Sequence, residues 1–75
     1  MTEKEKIEFL EEVMELDEGS LTKDTELNEL EEWDSLSTLV LTVEIRNRFG
    51  ENLTAKTIKD FKTVGDICQY LEQFK

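Results

Sequence analysis

Apolar residues recur at intervals of three and four along three separate segments of this chain, a period that suits helices and not the alternation of a half-buried strand. The first segment is Ile7, Leu10, Val13 and Met14, with Phe9 and Leu16 widening the face; the last is Val64, Ile67, Tyr70, Leu71 and Phe74. Thr2 with Glu5, and Thr63 with Asp66, precede these runs at the spacing of a capping box. The first helix is expected to run to Leu16 and to end over Asp17-Glu18-Gly19-Ser20, with Gly19 taking the left-handed conformation. The middle segment reads as a helix from about Ser35 to Phe49, stopped by Gly50. Ala55 to about Lys59 reads as a short helix, with Ile58 and Phe61 pointing inward.

There is no proline and no linker-like composition, so these pieces are expected to form a single domain over residues 1–75. The expected fold class is all-α: a small four-helix bundle of three longer helices and one short one, with a long loop between helices 1 and 2. Packing alone must hold it together. Cys68 is the one cysteine and there is no histidine, which leaves neither an internal disulfide nor a zinc site. Within its amphipathic helix Cys68 reads as a packing residue. A lone thiol suits a reducing compartment, and no signal peptide or membrane-length apolar run is present, so a cytoplasmic location is expected.

The charge is unevenly placed. Residues 1–34 carry 14 acids and three lysines, net −11, whereas residues 35–75 carry five acids and six bases, net +1, within an overall −10. Such a surface disfavours nucleic acid and membrane insertion, steers the chain toward basic partners, and makes a monomer the default.

The acidic half ends in Glu31-Glu32-Trp33-Asp34, directly ahead of Ser35. Roughly fifteen residues between Gly19 and Asp34 show no sustained period, a length that marks functional or self-packed loops. Leu21, Leu27 and Leu30 are expected to pin this loop, and Trp33 is either a further anchor or an exposed contact. Ser35 falls where a helix has unpaired backbone N–H groups, a place suited to an anion such as phosphate. If it serves only as a cap, Ser35→Ala should cost about 1 kcal/mol.

At about 100° per residue the second helix carries two opposed apolar stripes. Leu41, Ile45 and Phe49 with Thr38 form one; Leu36, Leu39, Val40 and Val43 form the other. One can face the core. The other must be covered by the loop, line an internal cavity, or stand exposed as a partner surface.

Chemistry by the polypeptide itself is not expected. Ser35 has no histidine to take its proton, and an adjacent solvated Asp34 is too weak a base. No glycine-rich phosphate loop occurs. A calcium loop read from Asp24 fails, because its sixth and twelfth positions are Glu29 and Ser35. No catalytic residue and no metal site are assigned.

Taken together, the acidic crossover loop, Asp34-Ser35-Leu36 opening a two-faced helix, Phe49-Gly50, a short segment, and Thr63-Val64 before a closing helix resemble the acyl carrier protein family, including its peptidyl and D-alanyl relatives. The resemblance covers nearly the whole chain. Asp34-Ser35-Leu36 is its most specific part; Leu16, Leu27, Phe49, Thr63-Val64 and Ile67 fit the framework more loosely. It implies that Ser35 receives a 4′-phosphopantetheine from coenzyme A, installed by a Mg²⁺-dependent phosphopantetheinyl transferase, and that the terminal thiol of this arm then carries a substrate as a thioester. It also implies contacts with that transferase, with an acyl- or aminoacyl-loading ligase and with acyl-accepting enzymes bearing basic patches. Asp34, Leu36, Leu39, Val40 and Val43 are the candidate contacts, with Glu32 and Trp33 beside them.

The chain also departs from the family. Only Glu44 is acidic on the second helix, which carries Arg46 and Arg48, and Trp33 stands where fatty acid members usually have a small residue. Recognition is therefore expected to shift toward Glu29, Glu31, Glu32 and Asp34 or onto the apolar stripe, in a specialised acyl or aminoacyl pathway. The competing reading is a small acidic helical inhibitor or immunity-type protein that blocks a basic enzyme. The two separate at Ser35, which only the carrier needs.

Overall fold

The computed structural model describes residues 2–74. Its elements are α1 (Glu3–Val13), a single 3₁₀ turn (Leu27–Glu29), α2 (Ser35–Phe49), α3 (Ala55–Asp60) and α4 (Val64–Glu72). The all-α reading holds, and the 3₁₀ turn inside the long loop is an addition to it. α1 and α4 each open on a capping box at the expected Thr2–Glu5 and Thr63–Asp66 pairs. α3 opens on Thr54, whose hydroxyl accepts from the Thr57 amide at 3.2 Å.

The end of α1 differs from expectation. Helical geometry stops at Val13, and Glu15 rather than Gly19 takes the left-handed turn that closes it, at φ 58°. The Glu15 amide donates to the Glu12 carbonyl at 3.1 Å and the Leu16 amide to the Glu11 carbonyl at 2.7 Å, the paired bonds of a Schellman stop. Gly19 also has positive φ, but in the loop beyond. Because a side chain at left-handed φ is strained, Glu15→Gly should raise stability by about 0.5–1 kcal/mol, net of the unfolded-state entropy glycine adds. A shift in urea midpoint at constant slope would show it.

The core gathers Leu10, Leu27, Leu41, Ile45, Val64, Ile67 and Leu71, all excluded from solvent. Leu21 and Leu27 are buried and Leu30 is half-buried, so the loop is pinned where the sequence placed its anchors. Backbone bonds then stitch it to the start of α4. The Leu27 amide donates to the Lys62 carbonyl at 2.9 Å, the Val64 amide to the Thr25 carbonyl at 2.9 Å, and the Gly65 amide to the Lys23 carbonyl at 2.8 Å. Two amides of the first turn of α4, which lack partners inside the helix, are thereby satisfied. Gly65 permits this approach, since a Cβ there would lie 2.9 Å from the Lys23 carbonyl oxygen.

Two charged residues in α1 are buried, against the simple amphipathic pattern. Lys6 Nζ meets the Glu72 carboxylate at 3.3 Å, tying α1 to α4, and Glu11 Oε2 accepts from the Leu21 amide at 2.9 Å. Cys68 is buried, and burial pushes its thiol up from the ordinary range. At the start of α4 the amides of Lys62 and Thr63 donate to Asp66 at 2.9 and 3.1 Å, and these bonds hold its carboxyl below the usual range. A depressed carboxyl contributes stability that is present above the unfolded value, about 3.9, and lost as pH falls through the folded value. The stability gap between the unaltered chain and Asp66→Asn should therefore be full at neutral pH and close below about pH 4. Denaturant titrations of both proteins across that range check it.

Candidate functional site

α2 begins where it does because Asp34 and Ser37 cap each other. Asp34 Oδ1 accepts from the Ser37 amide at 2.9 Å, and Ser37 Oγ accepts from the Asp34 amide at 3.0 Å. The cap is thus Asp34, so the alternative in which Ser35 serves only as a cap does not hold. Ser35 is the first helical residue and is exposed. Its amide and that of Leu36 lie in the first turn, where no intrahelical carbonyl is available and the helix dipole is positive. At the other end Gly50, at φ 70°, closes α2 as expected.

Of the two stripes on α2, Leu41 and Ile45 are fully buried and Phe49 is half-buried. The second stripe faces solvent: Leu36 is 67 % exposed, Leu39 59 %, Val43 48 % and Val40 36 %. The loop does not cover it. Glu29, Glu31, Glu32 and Asp34 are exposed ahead of Ser35, while Trp33 is half-buried and packs against the core, the anchor role of its two alternatives. Farther along, Arg46 is exposed; Arg48 pairs with Glu44 at 3.6 Å and sits 4.8 Å over the Phe9 ring.

The structure also brings together residues that the sequence does not connect. A groove of about 480 Å³ lies between the end of α1 and the start of α2, lined by the apolar side chains of Val13, Met14, Leu36 and Val40. Glu12, Glu15, Glu32 and Asp34 add four carboxylates, and among the described residues no lysine or arginine lines it. Glu32, Asp34, Leu36 and Val40 were expected contacts; Leu39 and Val43 lie outside the groove. Glu12 and Glu15 were missed, for no local pattern places the end of one helix beside the start of another twenty residues later.

These residues suit a phosphopantetheine. The exposed hydroxyl of Ser35 carries no capping duty, and the first turn of α2 offers dipole stabilisation to a phosphodiester. Ser35 and the amides around it would hold the phosphate, and the arm would supply a thiol that buried Cys68 does not offer.

Comparison with known proteins agrees. The family model described as "Phosphopantetheine attachment site" matches residues 7–71. An acyl carrier protein of Onion yellows phytoplasma (strain OY-M) is 39 % identical over 56 residues, covering 75 % of this chain and 74 % of that protein. Another, of Phytoplasma australiense, is 36 % identical over 58 residues, covering 77 % and 76 %. In structure, the chain is similar to a holo acyl carrier protein from Geobacter metallireducens solved by solution NMR, with a TM-score of 0.68 and 25 % identity over 89 % of this chain and 77 % of that one. The inhibitor reading has no such support. The chain belongs to the acyl carrier protein family, as a carrier for covalently attached 4′-phosphopantetheine and not an enzyme.

Proposed function

We propose that Ser35 is the attachment residue and that residues 1–75 act as one carrier domain for a specialised acyl or aminoacyl pathway. The observation that carries this reading is the exposed Ser35 at the first position of α2, with capping assigned to Asp34 and Ser37. During transfer the Ser35 oxygen bonds to the phosphorus bearing pantetheine, the pyrophosphate bridge of coenzyme A breaks, and adenosine 3′,5′-bisphosphate leaves. The hydroxyl proton passes to a base on the transferase, since this chain supplies none.

Recognition is divided along the same helix. Glu29, Glu31, Glu32 and Asp34 steer basic patches of the transferase, of the loading ligase and of acyl-accepting enzymes toward Ser35. Leu36, Leu39, Val40 and Val43 supply the apolar contact, and Trp33 fixes the loop behind them. The Arg46 and Arg48 end is matched poorly to a uniformly basic partner, which favours dedicated enzymes over general fatty acid synthesis. A monomer in the cytoplasm, away from nucleic acid and not inserted in membrane, fits the charge; no helix among the described residues is long and apolar enough to cross a membrane. Incubation with coenzyme A and a broad-specificity transferase, followed by intact-mass measurement and peptide mapping, tests the attachment: one phosphopantetheine on Ser35 is expected, and an unmodified chain across several transferases would overturn it.

A further inference from the structure

Leu36, Leu39, Val40 and Val43 stand on the solvent side of α2 at the i, i+3, i+4, i+7 spacing by which a helix seats itself against an apolar surface. Carried on at about 100° per residue, the same face continues into Arg46 and Asn47, both exposed. Among the described residues Arg46 makes no ion pair, whereas Arg48 is engaged by Glu44 and lies over the Phe9 ring. The positive end is more than one side chain. Residues 45–62 carry five bases and two acids, and α3 follows after a short link with Lys56 and Lys59 exposed. At the other end the face opens on exposed Glu31, Glu32 and Asp34. Over the rise of about 16 Å from Ser35 to Arg46, the solvent side of α2 therefore passes from negative through apolar to positive.

A partner basic along its whole length would meet Arg46 with a like charge, and a wholly apolar one would strip water from the guanidinium without replacing it. We propose that Arg46 is the residue by which this chain selects its partners, and that the surface they offer is divided in the same order. Bases lie opposite Asp34 and its neighbours, an apolar strip opposite Leu39 and Val43, and a carboxylate opposite Arg46. A cation in the last turn also supports the helix itself through its dipole. Arg48 shares that turn, so comparing the two arginines separates helix support from partner choice. This inference rests on the recognition reading above, in which α2 is the docking helix, and narrows the partner from basic to charge-divided.

The test uses the full, unmodified chain and two synthetic amphipathic helical peptides of identical composition, each with a leucine stripe. One carries its glutamates in the N-terminal half and its lysines in the C-terminal half; in the other they are interspersed. In NMR titrations at low ionic strength the divided peptide should bind at least about threefold more tightly, the scale of one exposed ion pair made or missed. A spin label at its glutamate end should broaden the signals of Val43 and Arg46 and spare those of Asp34 and Ser35. Arg46→Gln should bring the two peptides to within about 1.5-fold of each other. Arg48→Gln removes the same charge and should keep the difference, with circular dichroism checking the fold of both variants.

Equal affinity for the two peptides, equal loss from the two substitutions, or broadening at the acidic end would each overturn the proposal while leaving α2 as the docking helix. Signals of α2 unmoved by either peptide would remove that docking role and this inference with it. Signals of α2 that shift with chain concentration in the absence of peptide would make a second copy the occupant, and would also overturn it. None of these outcomes bears on attachment at Ser35, which the intact-mass measurement decides.

Discussion

A Ser35→Ala chain will gain no phosphopantetheine from coenzyme A under conditions that modify the unaltered chain to completion, yet it will remain folded with stability changed by no more than about 0.5 kcal/mol. The loss of modification is complete because the chain offers no alternative hydroxyl in the same setting; Ser37 is buried and engaged with Asp34. The small stability change follows from position. Ser35 is the first helical residue, where alanine is well tolerated, and the cap bonds belong to its neighbours. Asp34→Ala should behave in the opposite way, costing about 1 kcal/mol through the lost cap. Urea denaturation with intact mass on both variants separates the roles, and equal destabilisation by the two would show that Ser35 does structural work after all.

The second large effect is expected in the loop. Leu27→Ala should cost about 2–5 kcal/mol, the range for emptying a fully buried leucine site. Leu27 lies outside the four helices, yet it is completely buried, and its amide bonds to the Lys62 carbonyl at 2.9 Å. For a chain of 75 residues, total stability is on the order of 4–11 kcal/mol, so this one truncation removes a large share of it. Leu39→Ala, at a position 59 % exposed, should stay within about 0.5 kcal/mol. Equilibrium denaturation of both decides whether the loop belongs to the cooperative core; a Leu27 variant as stable as the Leu39 one would show that it does not.

Much of this was legible before any coordinates. Helical period placed α1, α2 and α4, and capping pairs placed the starts of α1 and α4, because those signals are local. Asp34-Ser35-Leu36 pointed to the proposed site only through the resemblance of the whole frame to the carrier family, because three such residues at a helix start are common by chance. The end of α1 was misplaced because Gly19 satisfied a general preference while Glu15 took the left-handed turn at a cost that its surroundings outweigh. Burial of Lys6 and Glu11 could not be read, since each depends on a partner distant in sequence, Glu72 and the Leu21 amide. The groove was invisible for the same reason. Which stripe of α2 would face water was undecidable from periodicity, because both stripes are apolar and only the packing of the other helices chooses between them.

The bonds from Leu27, Val64 and Gly65 that join residues 23–27 to the start of α4 bear on how an enzyme would meet this molecule. A floppy acidic strand must be frozen when it docks, and each immobilised side chain and peptide then subtracts from the free energy of association. Here the backbone leading to Glu29 has already lost that freedom during folding. The negative strip thus arrives pre-shaped, and under the proposed recognition a partner that fits it would spend little free energy on ordering it.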